Sequence, residues 1–278
     1  MAVQAAITQF RKETVMAFQQ ERSLLSMTTT KESMMNGLTA TFLVNGNATD
    51  TAVTRGQNGD IPYNSPTNSQ VSATLVEKHA PYSLTGFDVF ASQGNQTEGM
   101  RRQSIATINR EIDLTVLAEL ANATQDFGTG TLELKTITGA VAALGNQFVQ
   151  VDDINNMFGV LSPAAYNYLM QTTEFTSADY VDVTMFNGAT KRMLNWGGVN
   201  WIVSSLVDGL ATTTESLYVW HRDAFGYAIN MGEDQIAAGF NEEQQRSWSL
   251  ATVYHAAKIL QNTGIIKITH DGSEIVTT

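Results

Sequence analysis

Four histidines, acidic doublets and seven lysines are the side chains of this sequence whose types could carry chemistry. His79, His221, His255 and His270 stand far apart. None falls in the His-x3-His or His-Glu-x-x-His spacing that aims two imidazoles at one zinc ion. His221-Arg222-Asp223 and His270-Asp271 are local pairs, and such pairs read more simply as structural histidines near turns than as acid–base centres. Asp152-Asp153 and Glu242-Glu243 lack the alternating oxygen-ligand spacing of a calcium loop. There is no Gly-x-Ser-x-Gly, phosphate loop or dinucleotide fingerprint, and Gly197-Gly198 stands in a pattern too short to cradle a nucleotide. With no cysteine, disulfides, thiolate metal sites and a cysteine nucleophile are excluded. The eleven methionines are scattered, as gap-filling core residues are. These residue types predict no catalytic, metal or cofactor site.

The composition points elsewhere. Charged residues are 15% of the chain and hydrophobic ones 43%, whereas a soluble domain carries about 25% charged residues. Low charge on a soluble chain suggests that much of its surface is covered by other chains. Of the net charge of −11, residues 126–250 hold −9, with fourteen Asp/Glu against five Lys/Arg. A nucleic-acid-binding domain would instead show a basic stripe. No run of about 18 apolar residues is present, so no membrane span is expected. The segment MAVQAAITQFRKETVMAFQQ has its charges among its apolar positions, unlike a secretion signal, so a cytoplasmic site of synthesis is expected.

The elements that would position these residues are partly legible. Val3, Ile7, Phe10 and Ala17, joined by Met16, Leu24 and Leu25, predict an amphipathic helix over 2–25. It is either an ordinary packed helix or a terminal arm that docks on a neighbouring chain. Thr39–Val44 reads as a strand ended by Asn45-Gly46, and Asp50–Arg55 as a second extended piece. A polar tip follows, with Arg55, Gly56, Asn58, Gly59, Asp60, Pro62, Tyr63 and Pro66. Val71–His79 then alternates with period two, and Phe87, Val89 and Ala91 predict a further short extended run. So long a hairpin has too little apolar area to stand alone; it either folds back or lies along another subunit. Removing Gly56–Gln70 should leave a folded subunit.

Residues 96–124 predict one helix of about 43 Å, with Asn95 as N-cap and Glu98 in capping-box relation. Ile105, Ile108, Ile112, Val116 and Leu120 form its apolar stripe, while Arg101, Arg102 and Arg110 lie off it; Gly128 and Gly130 end the segment. Beyond it the pattern is mixed. Helices are predicted at Thr138–Asn146 and at Ala164–Gln171, the latter opened by Ser162-Pro163. Strands are predicted at Met157–Leu161, Val199–Ser204, Leu217–Trp220 and Phe225–Ile229, with a tight turn at Asn187-Gly188. Over Arg246–His270, two strands joined at Asn262-Thr263-Gly264 read as a hairpin closing the sheet that carries the long helix.

This order of parts resembles the Hong Kong ninety-seven fold of tailed-phage major capsid proteins. So do Glu21-Arg22-Ser23-Leu24-Leu25, Ala52–Gly56 with Gly59–Pro62, Phe87–Asn109 and Ser247–Asp271. The resemblance implies an α+β fold made of an N-terminal arm (1–38), an extended loop (39–85), a peripheral domain (86–129 and 246–278) whose spine helix is 96–124, and an axial α/β domain (130–245). It implies a structural, non-enzymatic coat protein that forms pentamers and hexamers of an icosahedral shell around double-stranded DNA. The loop-tip residues would contact a neighbouring subunit, and Arg101, Arg102 and Arg110 would face the interior. Implied partners are the chain itself, a scaffolding protein, a portal, a decoration protein and non-specifically contacted DNA; cofactors and membranes are not implied. Assembly is expected in a bacterial host cytoplasm. Some capsids of this family weld neighbours through a loop lysine that attacks an asparagine beside a glutamate. Here no lysine lies between Arg55 and Gln70; Lys78 stands at the loop base. An encapsulin-like compartment shell, a soluble α/β enzyme and a virion accessory protein remain as alternatives.

Overall fold

The computed structural model describes residues 22–34, 37–46, 51–65, 67–91, 96–171, 194–230 and 236–274. In chain order these form β1 (Thr30–Met34), β2 (Thr39–Asn45), β3 (Asn68–Thr74), β4 (Val76–Thr85), α1 (Gly86–Ala91), α2 (Gln96–Leu120), β5 (Asp126–Gly130), α3 (Leu134–Asn146), β6 (Met157–Leu161), α4 (Pro163–Gln171), β7 (Leu194–Trp196), β8 (Val199–Val203), β9 (Glu215–His221), β10 (Phe225–Asn230), β11 (Ile236–Asn241), β12 (Arg246–Ile259) and β13 (Ile265–His270). The expected helix over 2–25 falls mostly outside the described residues, as do Asn95, Pro66 and Asn187-Gly188.

Strand β12 organises the first sheet. Its one edge takes β4 along ten residues; its other edge takes β11 and then β10, and β1 adds in parallel to β10. Alternation on β12 buries Ser249, Ala251, Val253 and His255, and α2 packs against this strand. Small side chains at those positions let the helix approach, and Ser104 Oγ on α2 lies 3.2 Å from Ser249 Oγ. On α2, Ile112, Val116, Leu117 and Leu120 are buried. Ile105 and Ile108 are half-buried, and with Ile112, Ile229, Ile236, Ala251 and Val253 they line a cavity of about 90 Å³. The helix stops at Leu120, before the expected residue 124, because Asn122 and Ala123 turn back to the carbonyls of Glu119 and Leu120.

The second sheet has the order β5-β13-β9-β6-β8-β7. Its central strands β6 and β9 are buried almost throughout, so both read as apolar runs without alternation. Trp201 stacks where β6 has Gly159; a Cβ there would lie 2.4 Å from the indole ring. Gly197 and Gly198, with φ of 61° and 78°, make the two-residue turn from β7 to β8. β2 and β3 form a separate hairpin in unbroken register from Thr39↔Thr74 to Asn45↔Asn68. Its inner face, Ala40, Phe42 and Ala73, packs on Ala228 and Ala256 of the first sheet.

Five expectations are corrected. Of the expected extended piece Asp50–Arg55, Asp50 lies outside the described residues and 51–55 are irregular and exposed, not a strand. Val71–His79 is two strands broken at Leu75, because β3 pairs with β2 whereas β4 pairs with β12. Phe87, Val89 and Ala91 lie in α1: the Thr85 hydroxyl accepts from the Asp88 N–H and donates to its carboxylate, capping a helix. Gly128 and Gly130 belong to β5, which runs parallel to β13. The final two strands are not a hairpin of one sheet, since β12 lies in the first sheet and β13 in the second. β10 and β11 join the first sheet and β13 the second. Within residues 24–34, Leu25 is fully buried and β1 pairs with β10.

Candidate functional site

Among the described residues, the longest wholly exposed stretch lies between β2 and β3. Between the strands, residues 51–65 contain no buried position. The segment nevertheless has its own internal order. The Gly56 N–H donates to the Asp60 carbonyl and the Gly59 N–H to the Gly56 carbonyl, both at 2.9 Å. Gly59 has φ +81°, which a side chain would strain. The Asn64 amide spans to the Thr51 carbonyl at 3.4 Å and braces the two limbs. Arg55, Asn58, Asp60, Pro62 and Tyr63 are exposed, Tyr63 to 94%. Arg55 and Asp60 are the only ionisable groups besides Tyr63 in this stretch. Such a surface offers aromatic and polar contacts and no acid–base pair.

The base of the loop is tied to α2. Lys78 of β4 meets Glu111 at 2.8 Å, and Lys258 of β12 meets Glu119 at 3.0 Å. Further along α2, Arg101 and Arg102 are exposed and share Glu98, at 3.5 and 3.2 Å. Arg110 is half-buried and donates to Thr107 Oγ1 at 3.2 Å. The three arginines are thus two positions: a pair near the helix start that shares one carboxylate, and one side chain more than two turns on.

The histidines have structural partners. His79 contacts Thr252 Oγ1 at 2.9 Å and Glu77 at 3.0 Å. His221 accepts from the Asp223 N–H. His255 is buried against the Tyr227 hydroxyl at 3.2 Å, and burial holds its pKa down at about 4. His270 is buried, its Nδ1 accepts the Leu132 N–H at 3.1 Å, and burial lowers its pKa against the pull of Glu215. Glu215 accepts from the Ser162 hydroxyl and from the Ala211 N–H at 2.8 Å. Ser162, Glu215 and His270 are the nearest approach to a nucleophilic triad. The serine donates to the carboxylate and caps α4 through the Ala165 N–H, and all three side chains are buried. That arrangement fixes a helix start. Among the described residues no cluster of His, Asp or Glu is placed to hold a metal, and no helix is long and apolar enough to cross a membrane.

One functional-looking group was missed from the sequence. Asp113 lies fully buried on α2 beside Ile112 and Val116, and its carboxylate accepts from Ser23 and from the N–H groups of Leu24 and Leu25. The available signal was an acid within the apolar face of the helix.

A family model described as phage capsid protein matches residues 2–272. Among solved structures, a chain of Mycobacterium phage Che8 superposes with a TM-score of 0.72 at 13% identity, covering 96% of this chain and 98% of that one. The capsid of cyanophage P-SCSP1u gives 0.71 at 12% identity, covering 96% and 93%. A virus-like particle from Pyrococcus furiosus gives 0.58 at 10% identity, covering 89% and 92%. No curated protein matches the chain. At these identities the superpositions establish the mixed α+β capsid fold.

Proposed function

Because this chain belongs to the phage capsid protein family, we propose that its shell is held by residues 51–65 of each subunit lying on a neighbour. The chain is a structural coat protein of a phage particle and self-associates into capsomers; the family match does not favour an encapsulin. The carrying observation is an internally braced stretch with no buried residue, set on a hairpin whose base is packed. A segment without a core of its own gains its stabilising area elsewhere. Arg55, Gly56, Asn58, Gly59, Asp60, Pro62, Tyr63 and Pro66 are the proposed contact residues, with Tyr63 as the aromatic anchor.

In this reading α2 with the first sheet forms the peripheral domain, and the second sheet with α3 and α4 forms most of the axial domain. Residues 126–221, the part of the acidic stretch that belongs with the second sheet and its helices, would stand around capsomer centres and repel packaged DNA. Arg101 and Arg102 would meet DNA weakly, since Glu98 already neutralises part of their charge. A scaffolding protein, a portal, a decoration protein and assembly in the host cytoplasm belong to the same proposal. The test is co-expression with the proteins encoded beside it, followed by negative-stain imaging. Closed shells are expected; if light scattering finds nothing larger than a dimer, the reading fails.

A further inference from the structure

We infer that Thr51–Arg55 of one subunit adds as a strand to the free edge of β11 in a neighbour, an inference that rests on the loop contact proposed above and names the surface receiving it. Two incomplete halves of a β-ladder carry it. The first is β11. It pairs with β12 along one side, from Ile236↔Ala251 to Asn241↔Arg246, and no described strand lies along its other side. Its first five residues are exposed. Alternate residues of an edge strand turn their N–H and C=O groups outward, where they template a further strand. The other free edges of this sheet are guarded. β4 carries Glu77, Lys78 and Pro81, and β1 carries Lys31 and Glu32. Charge and a missing N–H both discourage strand addition. β11 has neither charge nor proline, and its Ile236 and Phe240 are about half exposed.

The second half is Thr51-Ala52-Val53-Thr54-Arg55. Thr51, Val53 and Thr54 are β-branched, the type that suits a pleated surface. Within its own subunit the stretch is nevertheless irregular and exposed. Among the described residues, only the Thr51 carbonyl of its backbone is engaged, by the Asn64 amide at 3.4 Å. Its remaining backbone groups are available to another chain. Charge sets the direction of the pairing. Arg55 is exposed, and β11 runs directly into Glu242 and Glu243, which are exposed as well. None of the three has an ion-pair partner among the described residues. An added strand parallel to β11 brings Arg55 to that acidic turn; an antiparallel one carries it to the far end.

The chain has no cysteine, so introduced thiols report only the designed contact. Particles of the full chain, co-expressed as above, carry Ala52→Cys or Val53→Cys together with Ala237→Cys or Ala238→Cys. Facing Cβ atoms on adjacent strands lie about 5 Å apart, close enough for a disulfide after a small adjustment. Mild oxidation should link at least one of the four combinations into a ladder of multimers that a reductant collapses. The same loop cysteines combined with Ser83→Cys on the guarded β4 should stay monomeric on the gel. Linkage to Ser83→Cys alone, or in no combination, would overturn the inference. So would dimers from Ala238→Cys by itself, which would mean that two β11 edges pair with each other. Hydrogen exchange on wild-type particles needs no substitution. Amides of Thr51–Arg55 and of Ile236–Asn241 should both exchange about tenfold more slowly in particles than in dissociated subunits. Slowing of Thr51–Arg55 alone would overturn the strand pairing and leave the loop contact standing. Slowing of Ile236–Asn241 alone would mean that a different segment covers β11, and if neither slows, the loop contact falls as well.

Discussion

At the scale of single residues, His255 makes the subunit's stability depend on acid. Its ring lies beneath α2 on the buried face of β12, against Tyr227. Burial lowers its pKa from 6.5 to about 4, with Glu111 pulling upward and Lys78 downward by smaller amounts. The folded state therefore keeps the ring neutral, while the unfolded chain takes up a proton near pH 6.5. The stabilisation is complete above that pH and is lost as pH falls toward about 4. Two to three pH units of difference correspond to about 3 kcal/mol. The urea midpoint should fall steeply between pH 7 and pH 4, and His255→Gln should flatten that fall. His270, whose pKa is also lowered by burial, supplies a residual slope of the same sign. An unchanged slope in His255→Gln would show that the ring is not held neutral.

At the scale of elements, the stripe on α2 and the charges beside it separate stability from surface. Ile112→Ala removes a buried side chain next to the existing cavity and should cost about 3 kcal/mol. Arg101→Ala and Arg102→Ala break exposed pairs to Glu98, and each should change the unfolding free energy by less than about 1 kcal/mol. Equal midpoints for Ile112→Ala and wild type would contradict the stripe.

The extended loop calls for a different cut from the one its sequence suggested. A deletion of Gly56–Gln70 would remove Asn68–Gln70, which pair with Asn45, Val44 and Leu43. Replacing residues 51–65 by a short Gly-Ser linker keeps that ladder. The cooperative melt should then survive while closed shells disappear; loss of the melt would place the tip in the core.

The same elements show what could be read without coordinates. The isoleucine spacing of α2, the Ser162-Pro163 start of α4 and the apolar run of β6 were legible because each is written in contiguous residues. In α1, the Thr85–Asp88 cap was present in the sequence but was outweighed by the alternation of Phe87, Val89 and Ala91. The fate of β13 was not legible. The Asn262–Gly264 turn looks the same whether the next strand returns beside β12 or, as found, crosses to β9. Asp113 posed the same problem, since its partners lie some ninety residues away and no local pattern announces them.

For the whole molecule, the alternation of the chain between sheets means that neither sheet is an independent unit. Val116, Leu117 and Leu120 of α2, Phe225 and Tyr227 of the first sheet and Trp220 and Ile266 of the second share one apolar core. A subunit built this way can carry load between neighbours without covalent reinforcement, provided its contacts are many. The distribution of amines bears on whether reinforcement is present. Residues 51–65 contain no lysine. Lys78, at the loop base, is held by Glu111 at 2.8 Å, and Lys135 and Lys258 are likewise paired, with Glu133 and Glu119. An amine attacks a carboxamide only as the neutral base, and a dry pocket without an adjacent carboxylate is what favours that form. Lys78 is half-exposed, and its amine is engaged by Glu111 within its own subunit. Mature particles boiled in detergent should therefore release a single band near the 30.3 kDa subunit mass. A ladder of covalent multimers would overturn this, and Lys78→Arg, which keeps the ion pair but removes the amine nucleophile, would then show whether Lys78 forms the bond.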